Sequence, residues 1–222
     1  MGDCILKSLA LVAVAVGIAN AAPAGRVVGK VTVTEASGKP ASAEVIVYVV
    51  GFPEKGTDGT AATITQKGRT FVPDLVAITV GESVTFPNGD PFLHNVFSQS
   101  STRKFDLGSF KKGESKEKSF PKSGVVDVYC NIHPEMAATI LVLPNKRHTR
   151  AAADGTFTLD GVPPGTWTVF AYARRAAKPA SAPVTVIAGQ DATVNLSLVR
   201  GAEPPHVNKF GEKYKNSTTT YR

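Results

Sequence analysis

The chain has 222 residues, enough for one or two domains with a real core. Apolar residues make up 42% and charged residues 19%, the balance of an ordinary soluble globular protein rather than an unusual class. The formal charge of +7 points to acidic partners or an anionic surface and is too modest to single out nucleic acid.

The N-terminus reads as a secretory signal over residues 1–21. Lys7 precedes the apolar run LALVAVAVGIA (9–19), and Ala19-Asn20-Ala21 supplies a small-residue cleavage site. The run is too short to span a bilayer comfortably, so no integral membrane segment is expected after cleavage. Cleavage removes Met1 and Cys4 and leaves Cys130 and Met136 as the sole cysteine and methionine. A lone thiol in an oxidising compartment cannot form an internal disulfide, so Cys130 needs another purpose.

From residue 27 onward the pattern is β throughout. VVGKVTVTEASGKPASAEVIVYVV gives two strands joined by a Gly/Pro/Ser loop, and ATITQ, VAITV and SVTF follow between Gly, Pro and Asn punctuators. VVDVYC and AATILVL flank a short polar turn. GTFTLDGVPPGTWTVFAY and APVTVIAGQDATVNLSLV then add alternating strands with tight turns. Helical periodicity never extends past two turns, so an all-β fold of sandwiches is predicted. Residues 201–222 are polar and aperiodic and read as a flexible tail. Asn195 and Asn216 sit in sequons that matter only in a glycosylating host. Residues 103–122 carry Arg103, Lys104, Lys111, Lys112, Lys116, Lys118 and Lys122 against Asp106, Glu114 and Glu117. This basic stretch is a solvated loop or a docking patch for an acidic partner.

Scarce side chains converge at VYCNIHPEM (128–136). In a strand VVDVYC, Val126, Val128 and Cys130 share one face and Asp127 and Tyr129 the other. His133 and Met136 follow on a loop stiffened by Pro134, giving C-x2-H-x2-M. Upstream, His94 enters another strand after the turn Asn88-Gly89-Asp90-Pro91. Two His and a Cys with a weak axial Met are the donors of a blue-copper site. Thiolate and thioether suit Cu(I), and imidazole suits both oxidation states. Structural zinc wants closed Cys/His sets, and no C-x2-C pair is present. No nucleophile motif accompanies Cys130, a two-copper centre would need two bridging cysteines, and a small core cysteine is the bland alternative.

The segment FVPDLVAITVGESVTFPNGDPFLHNVFS…FDLGSFKKGESKEKSFPKSGVVDVYCNIHPEM resembles the cupredoxin family over roughly residues 60–144, and its short ligand loop is most similar to amicyanin. The resemblance implies a Greek-key β-sandwich holding one type 1 copper per chain, bound by His94, Cys130 and His133 with Met136 axial. It also implies that Asn95 ties the two ligand loops together. His133 would be the solvent-facing ligand, inside an apolar rim of Pro91, Phe92, Leu93, Pro134 and Ala137. Phe92 and Leu93 packed into the core is the competing placement.

ADGTFTLDGVPPGTWTVFAYA (153–173) resembles the carboxypeptidase regulatory-like module, a small prealbumin-like β-sandwich whose earlier half looks like residues 27–49. The expected layout is a cupredoxin at 54–147 inserted into a module made of 26–53 and 148–200, with crossovers near 54 and 147. Two consecutive domains are the rival layout. His148 and His206 are given no ligand role. Together these features predict a periplasmic one-electron carrier that serves redox protein partners, binds no nucleic acid and is not itself an enzyme. A copper-trafficking protein and a scaffold with a dead metal site are the alternatives.

Overall fold

The computed structural model describes residues 24–54 and 59–214. The predicted signal (1–21) and the sequon at Asn216 lie outside the described residues. Strands make up the regular structure, with no α-helix among the described residues. In chain order, β1 (Gly25–Glu35) and β2 (Val45–Val50) come first. They are followed by β3 (Thr60–Thr63), β4 (Thr65–Gln66), β5 (Phe71–Val72), β6 (Leu75–Thr79) and β7 (Ser83–Pro87). β8 (His94–Ser98), β9 (Phe105–Phe110), β10 (Ser115–Ser119), β11 (Gly124–Tyr129) and β12 (Ala137–Leu143) carry the chain past the cysteine cluster. β13 (His148–Arg150), β14 (Thr156–Val162), β15 (Gly165–Ala173), β16 (Ala180–Val186) and β17 (Asp191–Arg200) complete the set.

These strands build two sandwiches, and the all-β prediction holds. Sheets ordered β6-β12-β11-β8-β9 and β10-β7-β3 enclose one core, which includes Val84, Phe86, Val126, Val128 and Ile140. Sheets ordered β14-β1-β17 and β13-β2-β15-β16 enclose another, which includes Val27, Val47, Leu159, Val169 and Leu196. Period-2 alternation drives both. In β11, Val126 and Val128 are fully buried, while Asp127 and Tyr129 face the other way.

Alternation alone leaves the outer face of the five-stranded sheet bare, yet that face is also covered. Leu75, Leu141 and Leu143 on it form a third apolar cluster with Ile46 of β2, flanked by Tyr48 and Tyr172. The two sandwiches therefore stack as four layers. The remaining half of the face, on β8 and β11, meets the C-terminal segment. Every residue of β8 is buried, as expected of a strand covered on both sides.

The chain passes between the sandwiches at two adjacent points. The Glu54 amide donates to the Pro144 carbonyl at 2.8 Å, and fully buried Asn145 donates to the carbonyls of Val49 and Phe52 at 2.9 and 3.0 Å. Arg147 pairs with Glu54 at 2.7 Å across the same junction.

One expectation is corrected. The basic stretch 103–122 is not a loop, because it forms β9, β10 and the turn between them. Lys116 Nζ donates to the carbonyls of Leu107 and Ser109 at 2.6 and 3.2 Å and lies over the Phe110 ring. Its positive charge thus bridges the edges of two sheets. In the C-terminal segment, aromatic and amide groups of residues 203–214 find partners beside β8 and β11. His206 stacks on Tyr129 with ring centres 4.0 Å apart and planes 9° from parallel.

Candidate metal centre

Loop 130–136 is closed by its own backbone. The Cys130 amide donates to the Met136 carbonyl at 3.3 Å, and the Met136 amide donates to the His133 carbonyl at 3.1 Å. Above it, Tyr129 pairs with Ala137 in the β11–β12 ladder. This tight hairpin turns Cys130 inward from the end of β11. His94, the first residue of β8, reaches the same point from a neighbouring strand, because β8 pairs with β11.

Three donor atoms meet there. Cys130 Sγ is 3.9 Å from His94 Nδ1 and 3.8 Å from His133 Nδ1, and the two Nδ1 atoms are 3.1 Å apart. Among the described residues this is the group of His, Cys and acidic donors close enough to share a metal ion. Cys130 and His94 are fully buried, and His133 is partly exposed. Met136 is fully buried in the same core cluster as Cys130, on the loop that carries Cys130 and His133.

The tautomer of His94 is fixed by a residue outside the predicted set. His94 Nε2 lies 2.8 Å from Asp90 Oδ2. Asp90 also accepts the amides of Gly68 and Arg69 at 2.8 and 3.1 Å. Burial opposes its ionisation, but these amides and the imidazole outweigh burial and hold its carboxyl below the ordinary value. An ionised Asp90 is acceptor-only, so His94 gives it the Nε2 proton and keeps a lone pair on Nδ1. That lone pair points to the donor cluster. The sequence signal for Asp90 is its place in the Asn88-Gly89-Asp90-Pro91 turn, four residues before His94.

The remaining groups are poised in the same sense. Burial pushes the Cys130 thiol up, against the backbone amides of Asn95, Ile132 and His133, which favour the thiolate. Burial and the neighbouring His94 hold His133 below its ordinary value, so its ring is neutral and a donor at neutral pH. A buried sulfur surrounded by amide donors and two close imidazole nitrogens fits a soft or borderline cation, which would offset the burial cost of the thiolate. The residues present fit copper.

Asn95 lies at the junction of β8 and the Cys130 loop. Its Oδ1 accepts the Asn131 amide at 3.3 Å and its Nδ2 donates to Asp106 at 2.7 Å, joining β8 to the Cys130 loop. Phe92 and Leu93 are 37% and 46% exposed and lie outside the core, and Ile132 is exposed as well. The Phe92 ring centre is 5.5 Å from that of His133. Pro91 is exposed as well, and Pro134 and Ala137 are half-buried. His148 and His206 stand outside the donor cluster. Sequence reasoning missed His206, Lys209 and Tyr214, which reach the ligand loop from a segment with no periodic signal.

Residues 132–199 match the family model described as the carboxypeptidase regulatory-like domain. No curated protein matches the chain. Among solved structures, a novel purple cupredoxin from Nitrosopumilus maritimus is 26% identical at a TM-score of 0.34, over 37% of this chain and 99% of that one. A reduced amicyanin variant is 23% identical at a TM-score of 0.35, over 37% of this chain and 82% of that one. A Cu-containing nitrite reductase from Thermus scotoductus SA-01 is 26% identical at a TM-score of 0.38, over 44% of this chain and 25% of that one. The chain carries a carboxypeptidase regulatory-like match beside a His/Cys/His cluster.

Proposed function

We propose that the protein is an exported, periplasmic carrier of single electrons, with one type 1 copper held by His94, Cys130 and His133 and by Met136 as axial ligand. The observation that carries this is the convergence of two Nδ1 atoms and one Sγ, 3.1 to 3.9 Å apart, with the His94 tautomer set by Asp90. Copper bound there supplies a one-electron couple whose two states accept the same donor set. The chain's own part is to limit movement of that set. His94 is held at Nε2 by Asp90, Cys130 sits at the end of β11, and Asn95 joins the two loops. Partly exposed His133 offers the way in and out for the electron. Exposed Phe92 and Leu93, with the Phe92 ring against His133, suit brief docking to redox protein partners.

The proposal includes the layout of the chain, a copper-binding sandwich at 54–147 set into a module formed by 26–53 and 148–200. Parallel pairing of β1 with β17 and pairing of β2 with β15 support it, since these strands flank the copper segment at both ends. The family match begins at residue 132 and so takes in β12, which pairs with β11 and β6.

The test is a visible spectrum of the full mature chain loaded with Cu(II), before and after ascorbate. An intense blue band that bleaches on reduction, returns on oxidation and is missing in Cys130→Ala is expected. Retention of the band in Cys130→Ala would remove the thiolate assignment. A colourless protein that binds copper would move the function to trafficking, which the buried donors and closed loop disfavour.

A further inference from the structure

The C-terminal segment belongs to no strand, yet it makes the most specific polar contacts with the ligand loop. Tyr214 Oη donates to the carbonyl of Cys130 itself at 2.9 Å. The Lys209 amide donates to Asn131 Oδ1 at 3.0 Å. Lys209 Nζ donates to Asp106 Oδ2 at 2.7 Å, and the other Asp106 oxygen accepts Asn95 Nδ2 at 2.7 Å. Since Asn95 Oδ1 accepts the Asn131 amide, these contacts close a ring through Lys209, Asp106, Asn95 and Asn131. The ring encloses the junction of the two ligand loops.

The segment is aimed rather than draped. Glu203 pairs with Arg174, which also donates to the Ala137 carbonyl at 2.9 Å, at the far end of the ligand hairpin. His206 lies flat on Tyr129, the residue before Cys130, and Tyr214 meets His206 edge-on with ring centres 5.4 Å apart. Asn208 Oδ1 accepts the amides of Phe210 and Glu212 at 2.9 and 3.0 Å, forming a turn that presents Lys209 inward. Gln99 Nε2 donates to the Lys209 carbonyl at 2.6 Å and anchors that turn to the sandwich.

We propose that Lys209 and Tyr214 are positioning residues of the metal centre, and that residues 203–214 hold loop 130–136 in its ligating shape and set its reduction potential. The potential part rests on the copper reading above. The reduced site carries one positive charge fewer than the oxidised site. A hydroxyl donor aimed at the Cys130 peptide and the cover that His206 lays over Tyr129 both favour the less charged state. Removing either therefore lowers the potential.

Three chains separate the outcomes: Tyr214→Phe, Lys209→Met, and a truncation ending at Ala202. Amide hydrogen exchange over 130–136 in the metal-free full chain reads the clamp without copper. It should speed up about five- to tenfold in each single variant, the effect of one lost hydrogen bond, and more in the truncation. In the copper-loaded proteins the midpoint potential should fall in Tyr214→Phe and fall further in the truncation, with faster transfer of copper to a chelator. Unchanged exchange and potential in Tyr214→Phe would overturn the proposal even if the truncation were destabilised, since a merely structural tail alters folding alone. Failure of the intact chain to give a blue copper spectrum would refute the carrier function, while the exchange rates would still decide the clamp.

Discussion

At the residue scale the site depends on which nitrogen of His94 carries the proton. Asp90 settles this, because a carboxylate that already accepts two backbone amides has no proton to give and must accept a hydrogen bond from the imidazole N–H. The Asp90→Asn variant can present an amide nitrogen to His94 and so permit the wrong tautomer. It is expected to weaken copper binding about 10- to 100-fold, the usual effect of losing a partner behind a ligating histidine. Competition against a chelator of known affinity measures this, and an unchanged affinity would show that His94 needs no such partner. Asp90 was within reach of sequence reasoning, four residues from a predicted ligand, whereas the amides of Gly68 and Arg69 that charge it come from a distant turn.

Elements act here through both of their faces. The inward residues of β12, Ala138, Ile140 and Val142, pack beneath the metal site, while the outward Leu141 and Leu143 pack against the neighbouring sandwich. Replacing Leu141 by Ala leaves a cavity between the sandwiches and is expected to cost about 2–5 kcal/mol in urea unfolding, with the copper spectrum intact. A loss below about 0.5 kcal/mol would mean that the interface closes over the gap. The crossover between sandwiches carries a pH dependence. Burial opposes ionisation of Glu54, but Arg147 and the Lys146 amide overcome it and hold its carboxyl below the ordinary value. A depressed carboxyl stabilises above the unfolded value of about 4.3 and loses that contribution as pH falls through the folded value. The stability gap between the native chain and Glu54→Gln should therefore be full at neutral pH and close in acid. A gap independent of pH between 7 and 3 would remove Glu54 as its source.

For the whole molecule, the proposed redox role makes a prediction about encounters through its positive charge. Lys116 and Lys118 are engaged over the rings of Phe110 and Phe105, and Lys111 and Lys112 are exposed. If the basic stretch docks an acidic redox partner, the second-order rate of electron transfer should fall as salt is added from about 0.01 to 0.15 M, over which the screening length shrinks from roughly 30 to 8 Å. Measured by stopped-flow absorbance, a salt-independent rate would leave docking to the apolar rim alone.

The sequence by itself determined the β class, the alternation that turns Cys130 inward, and the candidate donor set of His94, Cys130, His133 and Met136. Each of these depends on residue type and short-range spacing. The tertiary structure decided what covers the second face of the five-stranded sheet, how Asp90 fixes His94, and how Lys209 and Tyr214 reach the ligand loop. The contacts over the sheet and from the C-terminal segment join residues separated by up to 110 positions, as between Gln99 and Lys209, and no local pattern encodes them. A tail of polar residues has the same composition whether or not it finds partners, and only the folded sheet supplies them.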